Sequence, residues 1–509
     1  MAIGIFSSRI AGFVRQRVFA HYFGLESDAA DAFMAAFRIP NALQNLFGEG
    51  ALSASFIPVY ASLLARGERE EGTRVAGAVA AVLALVVSLL VLAGVLATPL
   101  LISAIAPGFS GAKRELTIQL VRILFPGAGL LVLSAWCLGV LNSHHRFLLS
   151  YAAPVIWNLA MIATLVLFGP GSTLDQLAVY LAWGSVVGSG LQFAGQLPVV
   201  RSLVPGLRLR LDSTSENVRA VFRNFGPVFI SRGVVQISAY VDALLASLLP
   251  TGAVTGLANA QLLYTLPVSL FGVSVSAAEL PTMSGTAGTG GTDALRARLD
   301  NGLRRIAFYV VPSSMAFLAL GDILAAALLQ TGRFTYGDAV FVWGVLAGSA
   351  VGLLASTLGR LYASMYYALR DTRTPLRYAV LRVALTTALG YVFALMLPPA
   401  LGIDARWGTA GLTASAGLAG WLEFALLRRS MNARIGRTGV PPSVLARLWI
   451  AAAVSAAIAW GIRIMVPGLH PIVRAIVIFG PYGATYFGTT WVLGVQEARA
   501  TFARVSRRR

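Results

Sequence analysis

The chain has 509 residues, of which 57% are apolar and only 12% are charged, and its mean hydropathy is +0.74. A soluble globular protein carries about 25% charged residues, so this composition excludes one. The net charge of +19 would suit a nucleic-acid-binding protein, but basic loops are equally expected of a multi-pass membrane protein.

Apolar runs recur along the whole chain, and each is long enough to cross roughly 30 Å of hydrocarbon as a helix. They predict an all-α polytopic membrane protein with about 14 transmembrane helices joined by short connections. The predicted spans are 2–23, 29–63, 75–105, 116–141, 150–169, 175–200, 219–249, 252–283, 303–330, 338–368, 376–398, 405–430, 444–466 and 473–495. The first two are the least apolar.

The arginines of the loops predict the orientation. With a cytoplasmic N-terminus, the arginine-rich loops and the 507–509 tail all fall on the cytoplasmic side, as the positive-inside rule requires. The opposite loops hold only Lys113, Arg114, Arg333 and Arg406. We therefore expect both termini in the cytoplasm and no nucleic-acid partner. MAIGIFSSRI has no basic n-region and no cleavage site, so we expect it to begin the first membrane helix, with a shortened start.

Polar side chains concentrate in the first two spans. They are Arg9, Arg15, Arg17, Asp31, Arg38, Asn41, Gln44, Asn45 and Glu49. A charge at membrane depth costs about 2.5–3.5 kcal/mol even on insertion scales, so such groups should face a water-filled interior. The prolines of RIPNALQNLFGEGALSASFIP predict a bent helix that lines this lumen. Two alternatives stay open: the arginines snorkel to the interface, and Glu49 is an ordinary solvated carboxylate.

Cationic side chains without a catalytic constellation predict binding of an anion rather than enzyme chemistry. Arginine grips phosphate oxygens through two parallel hydrogen bonds, so a pyrophosphate headgroup is a reasonable ligand. A phosphate-cradling Gly-Lys-Ser/Thr motif is absent from the sequence, which argues against an ATP-driven pump.

The chain resembles itself at one constant offset. LFGEGALSASFIP at 46–58 is similar to LFGVSVSAAELP at 270–281, and LLISAIAPGF at 100–109 to LAAALLQTGRF at 324–334. An offset of about 225 positions covers six spans, an even number, which predicts two parallel six-helix repeats around a central cavity. The predicted domains are an N-terminal lobe 1–200, a cytoplasmic linker 201–218, a C-terminal lobe 219–430, and two further helices with a basic tail over 431–509.

Ordered motifs carry a family resemblance over essentially the whole chain. They are Ser8-Arg9 with Gly12-Phe13 and Arg15, Asp31-Ala32-Phe33, Pro40-Asn41 with Glu49-Gly50-Ala51, Ala106-Pro107-Gly108-Phe109, Leu141-Asn142 with Arg146-Phe147, Ala153-Pro154 with Asn158, Gly332-Arg333-Phe334-Thr335, and Asp371 with Thr374-Pro375. The chain resembles the MurJ (MviN) lipid II flippases of the multidrug/oligosaccharidyl-lipid/polysaccharide exporter superfamily.

The resemblance implies a function in cell-wall synthesis. Such a protein moves undecaprenyl-pyrophosphate-linked peptidoglycan precursor, lipid II, from the inner to the outer leaflet of the bacterial cytoplasmic membrane by alternating access. The headgroup would occupy the cationic cavity, and helices 13 and 14 would form a groove for the lipid tail. The implied partners are lipid II, membrane lipids and peptidoglycan-synthesis proteins.

The chain departs from the family where cations are expected. Gln44 and Asn45 stand where an arginine is common, and Gln261, Leu262 and Thr265 replace a charged group in span 8. Arg360 falls where the family has a cavity lysine. We hypothesise that Arg232 of span 7 replaces the missing cations and that Glu279 tunes it. The predicted substrate-binding residues are Ser8, Arg9, Arg15, Asp31, Asn41, Gln44, Asn45, Glu49, Arg232, Glu279 and Arg360.

The source of energy has two candidates. Asp242 resembles a position linked in some relatives to a sodium site, although span 11 offers Thr386 and Gly390 in place of the expected Asn or Asp. The membrane potential is the other candidate, and no cofactor is predicted. Two alternative functions remain open: a flippase for another polyprenyl-pyrophosphate-linked oligosaccharide, and a scaffold for cell-wall synthesis that transports nothing.

Overall fold

A computed structural model describes residues 2–47, 49–212, 214–289 and 291–499. Within these ranges, side chains are described except at 2, 3, 5, 39, 40, 49–51, 53, 54, 227–239 and 286–289.

The described chain is helical almost throughout. The helices are α1 Ala2–Phe23, α2 Asp28–Phe47, α3 Glu49–Ala65, α4 Arg69–Leu96, α5 Thr98–Ile105, α6 Gly111–Ser143, α7 Phe147–Phe168, α8 Leu174–Leu203, α9 Glu216–Ser247, α10 Ala253–Pro267, α11 Ser274–Thr289, α12 Thr292–Leu329, α13 Tyr336–Ala368, α14 Arg373–Tyr391, α15 Leu397–Ala400, α16 Gly408–Ile435, α17 Pro442–Met465 and α18 Pro471–Val492. Short π-helical stretches at Val268–Val273 and Val392–Met396 join α10 to α11 and α14 to α15.

Each of the fourteen predicted spans is occupied by one helix or by consecutive helices. Within the described residues, ten helical segments are long and apolar enough to cross a membrane. The other spans correspond to α1, to α2 with α3, to α9 and to α18, which carry more polar residues. The predicted all-α polytopic fold is confirmed.

The chain forms two compact units. Unit 1 comprises Met1–Val254 and Thr331–Phe334, and unit 2 comprises Thr255–Gln330 and Thr335–Arg509. Helix α9 belongs to unit 1 because it packs on α3 and also contacts α2. The sequence repeat instead assigns 219–249 to the second lobe. Contacts between helices define the two units, whereas similarity between the two halves of the sequence defines the predicted lobes. The boundaries of the lobes therefore remain a prediction.

The connection between α8 and α9 is shorter than the predicted linker 201–218, because α8 ends at Leu203 and α9 begins at Glu216. It is tied to α4 by Arg74, whose Nε donates to Asp212 at 2.5 Å and whose Nη2 donates to Thr214 at 2.8 Å. The bond from Arg74, together with those from Thr214, holds the pKa of the Asp212 carboxyl well below its usual range.

The core of unit 1 lies where α3, α4, α6, α8 and α9 meet. Phe56 and Tyr60 of α3 stack at 5.1 Å between ring centroids, and Trp136 of α6 joins the same cluster. The Tyr60 hydroxyl reaches His144 Nε2 at 3.0 Å, at the end of α6. Burial first, and then the nearby arginine charges, lower the pKa of His144. Helix α2, which carries the polar amides, is therefore followed by a helix, α3, that packs into the core of unit 1.

The core of unit 2 joins α12 to α17 and α18 through small side chains. Ala316 and Ala327 of α12 meet Ala456, Ala459 and Ala475, so the helix backbones approach closely. Pro312 interrupts α12, and because proline has no N–H, the carbonyl of Phe308 loses its helical donor. The Tyr486 hydroxyl of α18 donates to this carbonyl at 2.7 Å, which replaces the missing bond.

Tyr486→Phe is therefore expected to destabilise the protein by about 1–3 kcal/mol, because it leaves the buried Phe308 carbonyl without a donor. Tyr482→Phe is the matched control, since its hydroxyl donates to the Pro312 carbonyl, which keeps the helical N–H of Ala316 as a donor. Thermal unfolding in detergent measures the difference. Equal losses in the two variants would contradict the account.

Candidate functional site

The first polar group of the site is Arg38 on α2. Arg38 is half-buried as a residue, the charge of Asp242 on α9 acts on its guanidinium, and the hydroxyl of Tyr240, also on α9, donates to its carbonyl at 3.4 Å. All three residues belong to unit 1. Because a guanidinium has five N–H donors, Arg38 has enough donors to bind a second anion besides this carboxylate.

Three amides continue from Arg38 along α2. Asn41 and Gln44 are half-buried, Asn45 is exposed, and none of their side chains hydrogen-bonds to another described residue. The spacing i, i+3, i+4 gives them a common face. On α1, Ser8 is half-buried and Arg9 is exposed. These five predicted residues therefore present polar groups that are open to a ligand.

Arg15 has a different environment, because aromatic rings enclose it. Its guanidinium lies 5.4 Å from the ring centroid of Phe37 and 5.2 Å from that of Trp157, and its Nη1 lies 3.9 Å from the Met161 sulfur. The two rings are parallel within 5°. Cation–π contact of this kind stabilises a charge away from water. In the described structure Arg15 fastens α1 to α2 and α7.

Asp31 lies at the opposite end of α2 from the amides and is 1% exposed. Its Oδ2 accepts from Lys113 Nζ at 2.9 Å and from the Gly252 N–H at 2.9 Å. Lys113 also pairs with Asp28 at 3.1 Å, and the Thr251 hydroxyl donates to Asp28 at 2.7 Å. We call these five residues the outer clasp. They join α2 to the start of α6 and to the turn between α9 and α10, so Asp31 is bound within this clasp.

A second contact at the same end of unit 1 involves the turn 331–334. The Arg333 N–H donates to the His21 carbonyl at 2.9 Å, and His21 Nδ1 lies 2.9 Å from the Thr331 hydroxyl. Gly332 has φ +53°, and a Cβ there would lie 2.4 Å from the His21 carbonyl oxygen. The glycine of the Gly-Arg-Phe-Thr motif is therefore required by a close approach to α1.

Unit 2 contains a separate charged group at membrane depth. Arg382 Nε of α14 lies 3.2 Å from Glu423 Oε2 of α16, and Arg360 of α13 also acts on Glu423 electrostatically. Arg360 is exposed, whereas the side chain of Glu423 is 18% exposed. We call Arg360, Arg382 and Glu423 the unit 2 triad. It carries one positive charge in excess, which favours an anionic ligand.

Close packing of α13 on α16 fixes this triad. A Cβ on Gly352 would lie 2.3 Å from the Cα of Gly417, so the two backbones touch there. Sequence analysis identified Arg360 but missed Arg382 and Glu423. The available signal was an arginine and a glutamate inside the apolar predicted spans 376–398 and 405–430.

Glu279 lies near the end of α11, where Arg298 and Arg305 of α12 flank its carboxylate at 3.8 and 3.7 Å. Its described neighbours are therefore cations of its own unit. The side chains of Glu49 and Arg232 lie outside the described residues, so the predicted replacement of cavity cations by Arg232 stays a prediction.

Asp371, the aspartate of the quoted motif with Thr374-Pro375, lies two residues before α14 begins at Arg373. It accepts from the backbone N–H groups of Arg373 and Thr374 at 3.0 Å and from Arg434 at 2.6 Å. The bonds from Thr374, followed by that from Arg434, hold the pKa of this carboxyl well below its usual range. The motif is thus explained by helix initiation.

Comparison with known proteins identifies relatives over most of the chain. A family described as "Lipid II flippase MurJ" matches residues 19–478. A Burkholderia cenocepacia protein named "Lipid II flippase MurJ" is 31% identical, over 96% of this chain and 96% of its own length. A Rhizobium tropici protein named "Probable lipid II flippase MurJ" is 32% identical, over 82% and 76% respectively.

Solved structures share the fold. A structure titled "Lipid II flippase MurJ, inward closed conformation" has a TM-score of 0.78 at 23% identity, covering 97% of this chain and 99% of its own. An inward-facing multidrug resistance MATE family transporter of the MOP superfamily has a TM-score of 0.67 at 18% identity, covering 84% and 95%. These likenesses support the predicted helical fold.

Proposed function

The chain belongs to the lipid II flippase MurJ family, and on this premise we propose that it transports lipid II from the inner to the outer leaflet of the bacterial cytoplasmic membrane for peptidoglycan synthesis. It is a multi-pass protein of that membrane. The proposed orientation has both termini in the cytoplasm, because the arginine-rich loops then lie inside. The proposed activity is transport by alternating access, without a catalytic step.

One observation carries the assignment of the site. Each unit holds an arginine that is not fully buried as a residue and that acts electrostatically with a carboxylate: Arg38 with Asp242 in unit 1, and Arg360 with Glu423 in unit 2. We propose that Arg38, within unit 1, binds a phosphate of lipid II, because arginine holds phosphate oxygens through paired, charge-assisted hydrogen bonds. Arg360, considered by itself within unit 2, has the same chemistry. The neighbouring carboxylates limit the net charge, so that the headgroup can also be released.

The amides of α2 suit a different part of the ligand. Asn41, Gln44 and Asn45 each offer donors and an acceptor, which match the hydroxyl and amide groups of a sugar-peptide headgroup. Since Gln44 and Asn45 stand where relatives often carry a cation, these two residues also favour a second candidate substrate, another polyprenyl-pyrophosphate-linked oligosaccharide. Competition between the two headgroups for the purified protein would discriminate them.

Complementation tests the function directly. Cells depleted of their own lipid II flippase lyse, and expression of this chain alone is expected to restore growth and peptidoglycan synthesis. Failure to restore growth, with membrane insertion demonstrated, would transfer the assignment to the second candidate substrate.

Arg382→Gln is expected to reduce transport by about 10-fold or more, because it removes the partner of Glu423 and one cation of the unit 2 triad. The matched control is Arg429→Gln, which removes an exposed arginine from the cytoplasmic end of α16. Initial rates of lipid II translocation at equal reconstituted amounts give the comparison. Equal rates for both variants would exclude the triad from the site.

We propose the membrane potential, rather than sodium, as the driving force. The charge of Asp242 acts on Arg38, and a guanidinium opposes the binding of a sodium ion at the same carboxylate. Moving one charge through 100 mV supplies about 2.3 kcal/mol. Replacing sodium by choline should leave the rate unchanged, whereas collapsing the potential should lower it. A rate that follows sodium concentration would reverse this assignment.

A further inference from the structure

A compact polar cluster lies in unit 2 and shares no residue with the unit 2 triad. It consists of Asp322 of α12, Tyr336 of α13, Arg463 of α17 and Arg474 of α18, and we call it the α17–α18 cluster. Asp322 and Arg463 lie close to the C-terminal ends of their helices, whereas Tyr336 and Arg474 lie in the first turns of theirs. In the proposed orientation these helix ends face the outer leaflet.

Three members of the cluster satisfy one another. Asp322, which is 2% exposed, accepts from the Tyr336 hydroxyl at 2.5 Å and pairs with Arg463 Nη2 at 2.8 Å. The same Nη2 donates to the Tyr336 oxygen at 3.2 Å. The Arg463 guanidinium also lies 4.6 Å from the ring centroid of Trp460. The charge of the buried Asp322 is therefore fully balanced by Arg463.

The α17–α18 cluster has two arginines and one carboxylate, and Arg474 is the arginine that does not pair with Asp322. It acts electrostatically on Tyr336 together with Arg463, and the described residues give it no carboxylate partner. Its Nε is buried and has no hydrogen-bond partner within the described part of the chain. A cation in the first turn of a helix is also opposed by the helix dipole. An arginine in this position is stabilised if an anion binds beside it.

The side chains around the cluster indicate what kind of anion binds beside Arg474. Ile464 is 73% exposed, Met465 81% and Ile476 67%, and Trp460 lies beside them at 45%. Exposed aliphatic side chains of this density suit acyl chains, and tryptophan and tyrosine are typical of the membrane interface. A phosphate at Arg474 and acyl chains along α17 and α18 are parts of one molecule, a phospholipid.

We propose that Arg474 binds the phosphate of an anionic phospholipid of the outer leaflet, and that the acyl chains of this lipid lie against α17 and α18. This inference rests on the proposed orientation for the leaflet but not on the identity of the transported substrate. It assigns a resident lipid to the terminal helix pair, at a site that shares no residue with the unit 2 triad.

Native mass spectrometry of the purified protein, titrated with phosphatidylglycerol or phosphatidylethanolamine, tests the proposal. The wild-type protein should bind phosphatidylglycerol more tightly, and Arg474→Gln should weaken that binding about 10-fold without changing the other lipid. Arg474→Lys should recover part of the affinity. Arg406→Gln is the matched control, because Arg406 belongs to unit 2 and is predicted on the same side of the membrane, but lies outside the cluster and contacts the rings of Phe341 and Trp407.

Three results would overturn the proposal. The first is equal binding of the two lipids, and the second is an equal loss of affinity for phosphatidylglycerol in Arg474→Gln and Arg406→Gln. The third is displacement of phosphatidylglycerol by inorganic phosphate, which would indicate a site for a soluble anion. Because no lipid II is present in the experiment, its outcome is independent of transport. A transport-inactive chain that still loses phosphatidylglycerol on Arg474→Gln would refute the proposed function and support this site.

Discussion

Asp31→Ala is expected to lower the free energy of unfolding by about 3–5 kcal/mol and to abolish complementation. The substitution removes the acceptor of Lys113 Nζ and of the Gly252 N–H, both at 2.9 Å, at a position where the carboxylate is 1% exposed. Of its two carboxylate partners, Lys113 would then keep the exposed Asp28. The lysine would lose its buried counter-charge and the buried Gly252 N–H would lose its acceptor, which is the costly case.

The outer clasp supplies its own control. Asp28 pairs with the same lysine, but its side chain is 60% exposed, so Asp28→Ala should cost less than about 1 kcal/mol. Asp31→Asn keeps an acceptor without the charge and should be intermediate. Thermal unfolding of the four proteins in detergent would measure the series. Equal stability of Asp31→Ala and Asp28→Ala would show that the clasp is not held by the buried carboxylate.

Arg38→Gln is expected to reduce lipid II transport by about 100-fold or more, with a smaller effect on stability. The arginine provides several donors to an anion, and glutamine provides one amide group without charge. Arg38→Lys keeps the charge but loses the paired geometry, so its rate should lie between the two. Initial rates in proteoliposomes, normalised to the amount of folded protein, measure the effect.

The carboxylate that acts on Arg38, Asp242, allows a sharper test of the role of Arg38. In Arg38→Gln the charge of Asp242 is no longer balanced by its described partner, and adding Asp242→Asn should therefore recover stability but not transport. Arg66→Gln is the matched control, because Arg66 is an exposed loop arginine of unit 1 whose ion-pair partner among the described residues is Glu68. Recovery of transport in the double variant would show that Arg38 serves the fold rather than the ligand.

The sequence predicted the helices well, because each apolar run is long enough to specify a membrane span without reference to its neighbours. Polar residues within one span were also recognisable, as with Asn41, Gln44 and Asn45 at helical spacing. The two π-helical stretches were not predicted, since the flanking apolar pattern continues through them.

Partners far apart in the chain could not be predicted. Asp31 resembles a cavity residue until Lys113 and Gly252 are known to bind it, and these lie 82 and 221 positions away. Arg15 likewise has no local sign of its aromatic enclosure, because Trp157 belongs to another helix. Arg382 and Glu423 are recognisable as charges within apolar spans, but their pairing between α14 and α16 is visible in the structure alone. Packing between helices, rather than the pattern within each, decides which polar group is open to a ligand.

Translocation of lipid II by the purified chain is the most direct test of the central claim. Proteoliposomes carrying fluorescent lipid II on both leaflets are treated with a membrane-impermeant reductant under an imposed potential. Vesicles without protein should lose about half of their fluorescence, because the reductant reaches one leaflet. Vesicles with the wild-type chain should lose nearly all of it, and those with Arg38→Gln should resemble the protein-free vesicles. A wild-type chain that leaves the inner half unbleached would contradict the account.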